Sequence, residues 1–304
     1  MFKRSRVGAA VGAALSVGAL ALLSGCGGPA TADDGKLRIT TSFYPLQYVT
    51  ARITSDRAVV SSLTPPGAEP HDLELTPKDV AHVVDADLVV YLGGFQAAVD
   101  DAVKTEAKDH SDNVAGAANL DRTLTEDGEG TGTDPHFWLD PVRLSAVATQ
   151  IEQRLARIDP AGAASYQTNL TSLTTDLAGL NADLRSGLAH CANKDLVTSH
   201  QAFGYLAERY GLTQVGITGL TPEQEPDPAT LARVTDFVRA HAVHTIYYET
   251  LVSPAIARTV ASETGARTEV LDPIEGITAT SQGRDYLAIM HANLNNLKKG
   301  QPCS

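Results

Sequence analysis

Asp195-Leu196-Val197-Thr198-Ser199-His200 is the stretch on which the reading of the fold turns. A short run rich in apolar and β-branched residues, too brief for a helix, ends abruptly in a polar pair that includes an imidazole. Helical periodicity follows over 203–210, and a second β-branched run occupies 213–217. Two strands joined through a helix lie parallel, because a tight hairpin cannot connect them. The same alternation continues with strands at 245–249 and 267–271 and helices at 228–241, 254–264 and 284–297. It also runs upstream, with strands at 37–41, 58–63 and 87–92 and helices at 46–53 and 77–84. The expected fold class is therefore α/β, with two lobes, each a mainly parallel sheet flanked by helices.

The texture between the two halves is different. Leu144, Val147, Ile151, Leu155 and Ile158 recur every three or four residues, and after Asp159-Pro160 the pattern resumes at Tyr166, Leu170, Leu173, Leu177, Leu180, Leu184 and Leu188. Both segments read as amphipathic helices, the second about seven turns long. Such a helix serves as a connector that limits how far two lobes can swing. Residues 123–134, with Glu126, Asp127 and Glu129, read as an exposed loop.

The chain has 304 residues, 24 Lys+Arg against 36 Asp+Glu, a formal charge of −12 and 43% apolar residues. It can bury a sizeable core, and without basic patches it does not fit nucleic acid. At the N-terminus, Lys3, Arg4 and Arg6 precede an uncharged apolar and small-residue run that ends in Leu23-Ser24-Gly25-Cys26. This is the pattern of an export signal, and the tetrapeptide resembles the lipobox of bacterial lipoproteins, in which the Cys carries the lipid. Removing the three signal cations leaves 21 Lys+Arg against 36 acids, a charge of −15. The expected organisation is a signal peptide (1–25), a lipidated tether (26–36), an N-terminal lobe (37–143), a helical connector (144–192) and a C-terminal lobe (193–304). The localisation that follows is exported and lipid-anchored at the outer face of the bacterial cell membrane. Two further thiols, Cys191 and Cys303, are expected to form a disulfide in an oxidising compartment, the alternative being two free thiols.

Three of the nine histidines stand in a common kind of context. His71 follows a strand and the turn-rich Pro65-Pro66-Gly67-Ala68-Glu69-Pro70; His136 lies in Asp134-Pro135-His136-Phe137-Trp138-Leu139-Asp140-Pro141; His200 directly follows its strand. Ligands of open α/β sheets bind beyond the carboxyl ends of the strands, which places His71 and His200 on the functional rim. Asp272 follows another strand, in an Asp272-Pro273 turn. Three imidazoles and one carboxylate are a chemically sensible set for zinc. The other six histidines lie in helical patterns or polar loops and read as ordinary solvated side chains.

The segment 65–77, the segment 134–141 and Ser199-His200-Gln201-Ala202-Phe203-Gly204-Tyr205-Leu206 resemble, in order, three motifs of the zinc/manganese-binding solute receptors of ABC transporters. Glu249, Ser253-Pro254 and Leu271-Asp272-Pro273 are similar to the C-terminal part of that family. The resemblance implies that His71, His136, His200 and Asp272 hold one metal ion in the cleft between the lobes. It further implies a monomeric receptor, tethered to the membrane, that hands the ion to a permease. Glu69 and Glu249 are alternative ligands or orient a His from behind, and Tyr44 is a candidate to line the cleft. His at position 200 favours Zn²⁺, since a hard Mn²⁺ prefers oxygen; Mn²⁺ is the alternative cargo. Unlike many zinc receptors of this family, the chain has no His in its 123–133 segment. Catalysis is not expected, because a zinc hydrolase keeps an open position for water and the chain carries no HExxH, GxSxG or Walker A motif. Adhesion at the cell surface is a further role suggested within the family, with no independent support in the sequence.

Overall fold

The computed structural model describes residues 35–126 and 130–304. The lipobox, Cys26 and the acidic residues Asp127 and Glu129 lie outside them. Strand β1 (Leu37–Thr41) leads through α1 (Tyr44–Thr54) to β2 (Ala58–Ser62), and α2 (Pro77–Val84) leads to β3 (Leu88–Tyr91). Helix α3 (Ala97–Glu106), strand β4 (Ser111–Asn113) and the single turn α4 (Ala115–Ala118) complete a parallel four-stranded sheet of order β2-β1-β3-β4. Helix α2 begins where the sequence punctuates it. The Thr76 hydroxyl accepts from the Asp79 N–H, the Asp79 carboxylate accepts from the Thr76 N–H, and Pro77 fills the first turn.

Next comes a departure from expectation. Residues 123–134, read as a loop, contain an antiparallel pair, β5 (Thr123–Glu126) and β6 (Gly130–Thr133). The Gly and acidic content reads as turn material, whereas alternating Thr residues on both arms suit paired extended backbone. Helices α5 (Pro141–Ile158) and α6 (Ala163–Leu188) follow. The 26 residues of α6 extend about 39 Å at 1.5 Å per residue. It buries the stripe read from its periodicity, Tyr166, Leu170, Leu173, Leu177, Leu180, Leu184 and Leu188. The kink between the two helices is tied down by Asp159, which accepts from the Tyr166 hydroxyl at 2.6 Å and pairs with Arg57 at 2.7 Å.

The second half repeats the parallel scheme. Strands β7 (Asp195–Thr198), β8 (Thr213–Gly216), β9 (Thr245–Tyr248) and β10 (Arg267–Val270) form a sheet of order β10-β9-β7-β8. Helices α7 (Gly204–Tyr210), α8 (Pro228–Ala240), α9 (Ala255–Thr264) and α10 (Tyr286–Gly300) accompany it. One hydrophobic cluster runs from Ile39, Phe43 and Leu46 through α5 and α6 to Tyr205, Tyr286 and Leu297. Two smaller clusters lie elsewhere on the two sheets, around Val89, Val99 and Val103 and around Val197, Val234 and Val260. Residues Lys36–Ser304 thus form one compact unit around two sheets. No helix among the described residues is long and apolar enough to cross a membrane.

Cys191 and Cys303 are bonded, closing a sequence separation of 112 residues. The backbone agrees with the bridge, since the Ala192 N–H donates to Pro302 O and the Ser304 N–H to His190 O. A loop of this size confines the unfolded chain, so replacing both cysteines with Ala is expected to cost about 2–5 kcal/mol. Urea denaturation without added metal checks this, and an unchanged midpoint would count against it.

Candidate metal site

Each strand-end motif delivers its imidazole by a different local device. After β2 the chain turns at Gly67, whose φ of +79° is natural only for glycine. The buried Gln96 amide then anchors this turn by donating to Pro70 O at 3.1 Å and to the Thr64 hydroxyl at 3.0 Å. His71 follows, its ring edge-on to Phe95 with centroids 4.9 Å apart. His136 sits at the start of a 3₁₀ turn, Phe137–Leu139, which Asp140 ends by capping α5. His200 leaves β7 in a bend whose His200 carbonyl accepts from the Thr198 hydroxyl and the Gln214 amide.

The three Nε2 atoms converge. His71 Nε2 lies 3.2 Å from His136 Nε2, and His136 Nε2 lies 3.4 Å from His200 Nε2. The fourth member is Glu275, whose Oε1 is 3.4, 3.1 and 3.6 Å from the Nε2 atoms of His71, His136 and His200. Four bonds of about 2.0–2.1 Å in tetrahedral array put neighbouring ligand atoms about 3.3–3.4 Å apart. The five distances scatter around that edge length, and the four atoms all lie within 4.8 Å of one another. Imidazole nitrogens facing each other must share a proton or a metal cation, and a cation at the common centre serves all four donor atoms at once.

The ring orientations are set from behind. Asp134 Oδ1 accepts from His136 Nδ1 at 2.8 Å and from its backbone N–H at 3.0 Å. Glu249 Oε1 takes His200 Nδ1 at 2.7 Å and the Ser199 hydroxyl at 2.7 Å. A proton held on Nδ1 by a carboxylate leaves the Nε2 lone pair aimed at the common centre. Burial works to strip His200 of a second proton, but the negative charges of Glu249 and Glu275 overcome it and hold its affinity for protons well above the ordinary imidazole value. Burial opposes, and Asp134 and Glu275 outweigh, in His136 as well, whereas for His71 burial prevails and lowers it. Burial would raise Glu275, yet the three histidines hold it well below the usual carboxylate range. Its Oε2 is buried without a hydrogen-bond partner, a buried anion in want of a cation.

Asp272 stands elsewhere. Its Oδ1 accepts from the Ile274 N–H at 2.8 Å and its Oδ2 from the Thr250 hydroxyl at 3.0 Å, so the carboxylate shapes the loop instead of joining the cluster. Burial moves it up to about 6. The reason for the exchange is local: Ile274 adopts φ +60°, unusual for a β-branched residue, and this turn brings Glu275 to the histidines. Glu69 accepts from the His71 N–H at 3.0 Å, with its Oε1 3.9 Å from His71 Nε2. Burial, then the charge of Glu275, pushes Glu69 up to about 9. Glu275 escaped sequence reasoning because Asp272 occupied the expected strand-end position; the acidic residue three places on, before Gly276, was the available signal. Tyr44 lines a cavity of about 280 Å³ with Gln47, Ser62, Thr64 and Pro65, and Glu275 forms part of its wall.

Comparison with known proteins adds to this geometry. The sequence model of the family described as "Zinc-uptake complex component A periplasmic" (ZnuA) matches residues 39–300. The high-affinity zinc uptake system protein ZnuA of Bacillus subtilis is 36% identical over 296 residues, which cover 91% of this chain and 93% of that one. Zn(II)-bound AdcA from Streptococcus pneumoniae superposes with a TM-score of 0.74 at 36% identity over 88% of this chain, which spans 58% of it. The laminin-binding protein Lmb of Streptococcus agalactiae, described as bifunctional with adhesin and metal transporting activity, gives a TM-score of 0.77 at 34% identity, covering 87% of this chain and 99% of that one. Two parallel-sheet lobes, the ordered histidine motifs and a match over nearly the whole described chain lead to one conclusion: the chain belongs to the ZnuA family of periplasmic zinc-uptake complex components.

Proposed function

We propose that the chain is the extracytoplasmic receptor of a zinc ABC importer, which captures Zn²⁺ with His71, His136, His200 and Glu275 and passes it to a membrane permease. The observation that carries this reading is the convergence of four donor atoms at the edge lengths of a zinc tetrahedron. Three imidazoles with one carboxylate favour zinc over manganese, which prefers oxygen. Four protein ligands also support a carrier over a hydrolase, because they leave no position for a reacting water. In this reading 37–143 and 193–304 are the lobes, 144–192 is the connector, the receptor is monomeric and Cys26 holds it to the outer face of the membrane. The second role, adhesion, rests on the description of Lmb; laminin binding that survives loss of the metal ligands would favour it.

Calorimetry with Zn²⁺ and Mn²⁺ tests the receptor reading. Zinc is expected to bind at least about a hundredfold more tightly than manganese, and equal affinity would overturn the assignment. The same titration carries a proton signature. Against the effect of burial, Glu249 and Glu275 favour the imidazolium form of His200, and Asp134 and Glu275 that of His136. Zinc accepts only the neutral ring, so binding expels the protons these rings hold. The binding enthalpy at pH 7 should therefore vary with buffer ionisation enthalpy in the sense of proton release, and affinity should rise with pH from 5 to 8 by up to about tenfold per unit per proton displaced. Affinity that rises on acidification would contradict the sign.

A further inference from the structure

We infer that Arg122 is a positioning residue for the ion: it latches α7, the helix that follows His200, onto the carboxylate that orients His136. The inference rests on the receptor reading and goes beyond it, because Arg122 touches none of the four donor atoms.

The argument begins with Asp134. Its Oδ1 is fully used by His136, while its Oδ2 is buried with no hydrogen-bond partner. The group facing Oδ2 is the Arg122 guanidinium, with Nε 3.6 Å away and itself buried and unpartnered. The carboxylate is buried and the facing Nε is shielded, although the rest of the Arg122 side chain reaches the surface, so the two opposite charges attract from just beyond hydrogen-bond length. Arg122 is fixed at its backbone too, since its carbonyl accepts from the Asp134 N–H at 3.0 Å across the base of the β5–β6 pair. Its other end reaches α7, where Nη1 pairs with Glu208 at 2.9 Å and the guanidinium lies 5.8 Å from the centre of the Tyr205 ring. The Tyr205 hydroxyl in turn donates to Asp134 O at 3.0 Å. Gly204, the first residue of α7, closes the arrangement. A Cβ there would come within 2.6 Å of Arg122 Nε and 2.7 Å of Asp134 Oδ2, so the helix start packs directly on the ion pair.

The consequence is mechanical and electrostatic together. His136 and His200 belong to different segments of the chain, and Arg122 lies between Asp134, the carboxylate behind His136, and α7, the helix after His200. Loss of the guanidinium leaves the buried Asp134 Oδ2 without its facing cation, loosening both the His136 orientation and the seat of α7.

The test measures zinc affinity by chelator competition, zinc dissociation by stopped flow, and the visible absorption of the Co²⁺-loaded protein, whose band reports tetrahedral geometry. Arg122→Met keeps the side-chain stem and is expected to weaken zinc binding by about 10- to 100-fold, chiefly through faster dissociation, and to diminish the cobalt band. Arg122→Lys should recover part of the loss, and Glu208→Gln, at the exposed end, should change affinity less than about threefold. Gly204→Ala keeps every charge and wedges the pair apart, so it should reproduce the Arg122→Met spectrum even if Arg122→Met folds poorly. Wild-type zinc affinity and cobalt spectrum in both Arg122→Met and Gly204→Ala would overturn the latch while leaving the receptor reading intact. Failure of the wild-type protein to bind zinc would overturn both.

Discussion

Glu275→Gln should weaken zinc binding by about 2–5 kcal/mol, roughly 30- to 4,000-fold, the range seen when one partner of a buried, hydrogen-bonded charge pair is removed. The substitution keeps the shape of the side chain and deletes its charge. Glu275 is fully buried and its Oε1 lies within 3.6 Å of all three imidazole Nε2 atoms. Asp272→Asn is the informative control. An amide at position 272 can still accept from the Ile274 N–H, and its NH₂ can donate to the Thr250 hydroxyl with the direction of that bond reversed, so zinc affinity should fall by less than about tenfold, with a loss of stability of at most about 1 kcal/mol. Competition against chelators of graded strength measures both variants on one scale. The reverse order, with Asp272→Asn the more damaging, would return the fourth-ligand role to Asp272 and assign Glu275 to an electrostatic part.

The contrast between these two acids shows where sequence reading succeeds and where it stops. Strand ends are local features, so His71, His136 and His200 could be placed by β-branched runs and the turns after them, and the α6 stripe from Tyr166 to Leu188 by spacing alone. Helix α3 and strand β4 carry weaker signals. Only Val99, Ala102 and Val103 of α3 are buried, and β4 is a three-residue polar edge, Ser111-Asp112-Asn113. Glu275 depends on a backbone reversal at Ile274, a residue type that rarely adopts positive φ and so gives no warning of it. The partners of Asp134 and Arg122 in α7 are more distant still: Glu208 is 86 residues from Arg122, and no local pattern encodes that pairing.

Trp138→Ala should destabilise the metal-free protein by about 3–5 kcal/mol, as removal of a large buried aromatic does. Trp138 is fully buried, packed on Phe43 with ring centroids 4.9 Å apart and on His136 at 5.1 Å. It also links distant segments of the chain. Its Nε1–H donates to Pro273 O at 2.7 Å, and its own carbonyl accepts from the Tyr286 hydroxyl at 2.5 Å. Trp138→Phe separates these contributions, retaining most of the ring volume and losing the indole donor, so it should cost about 1–3 kcal/mol for the orphaned Pro273 carbonyl. Trp138 is the only tryptophan, so unfolding must be followed by far-ultraviolet circular dichroism, and without zinc, since a bound ion raises apparent stability by mass action. Pro273 lies two residues before Glu275 and one before the strained Ile274, which ties the indole hydrogen bond to the placement of the fourth donor. Trp138→Phe should therefore lose zinc affinity as well as stability. If stability falls while zinc affinity stays at the wild-type value, the indole contributes to folding alone and Asp272 with Thr250 is sufficient to hold the turn.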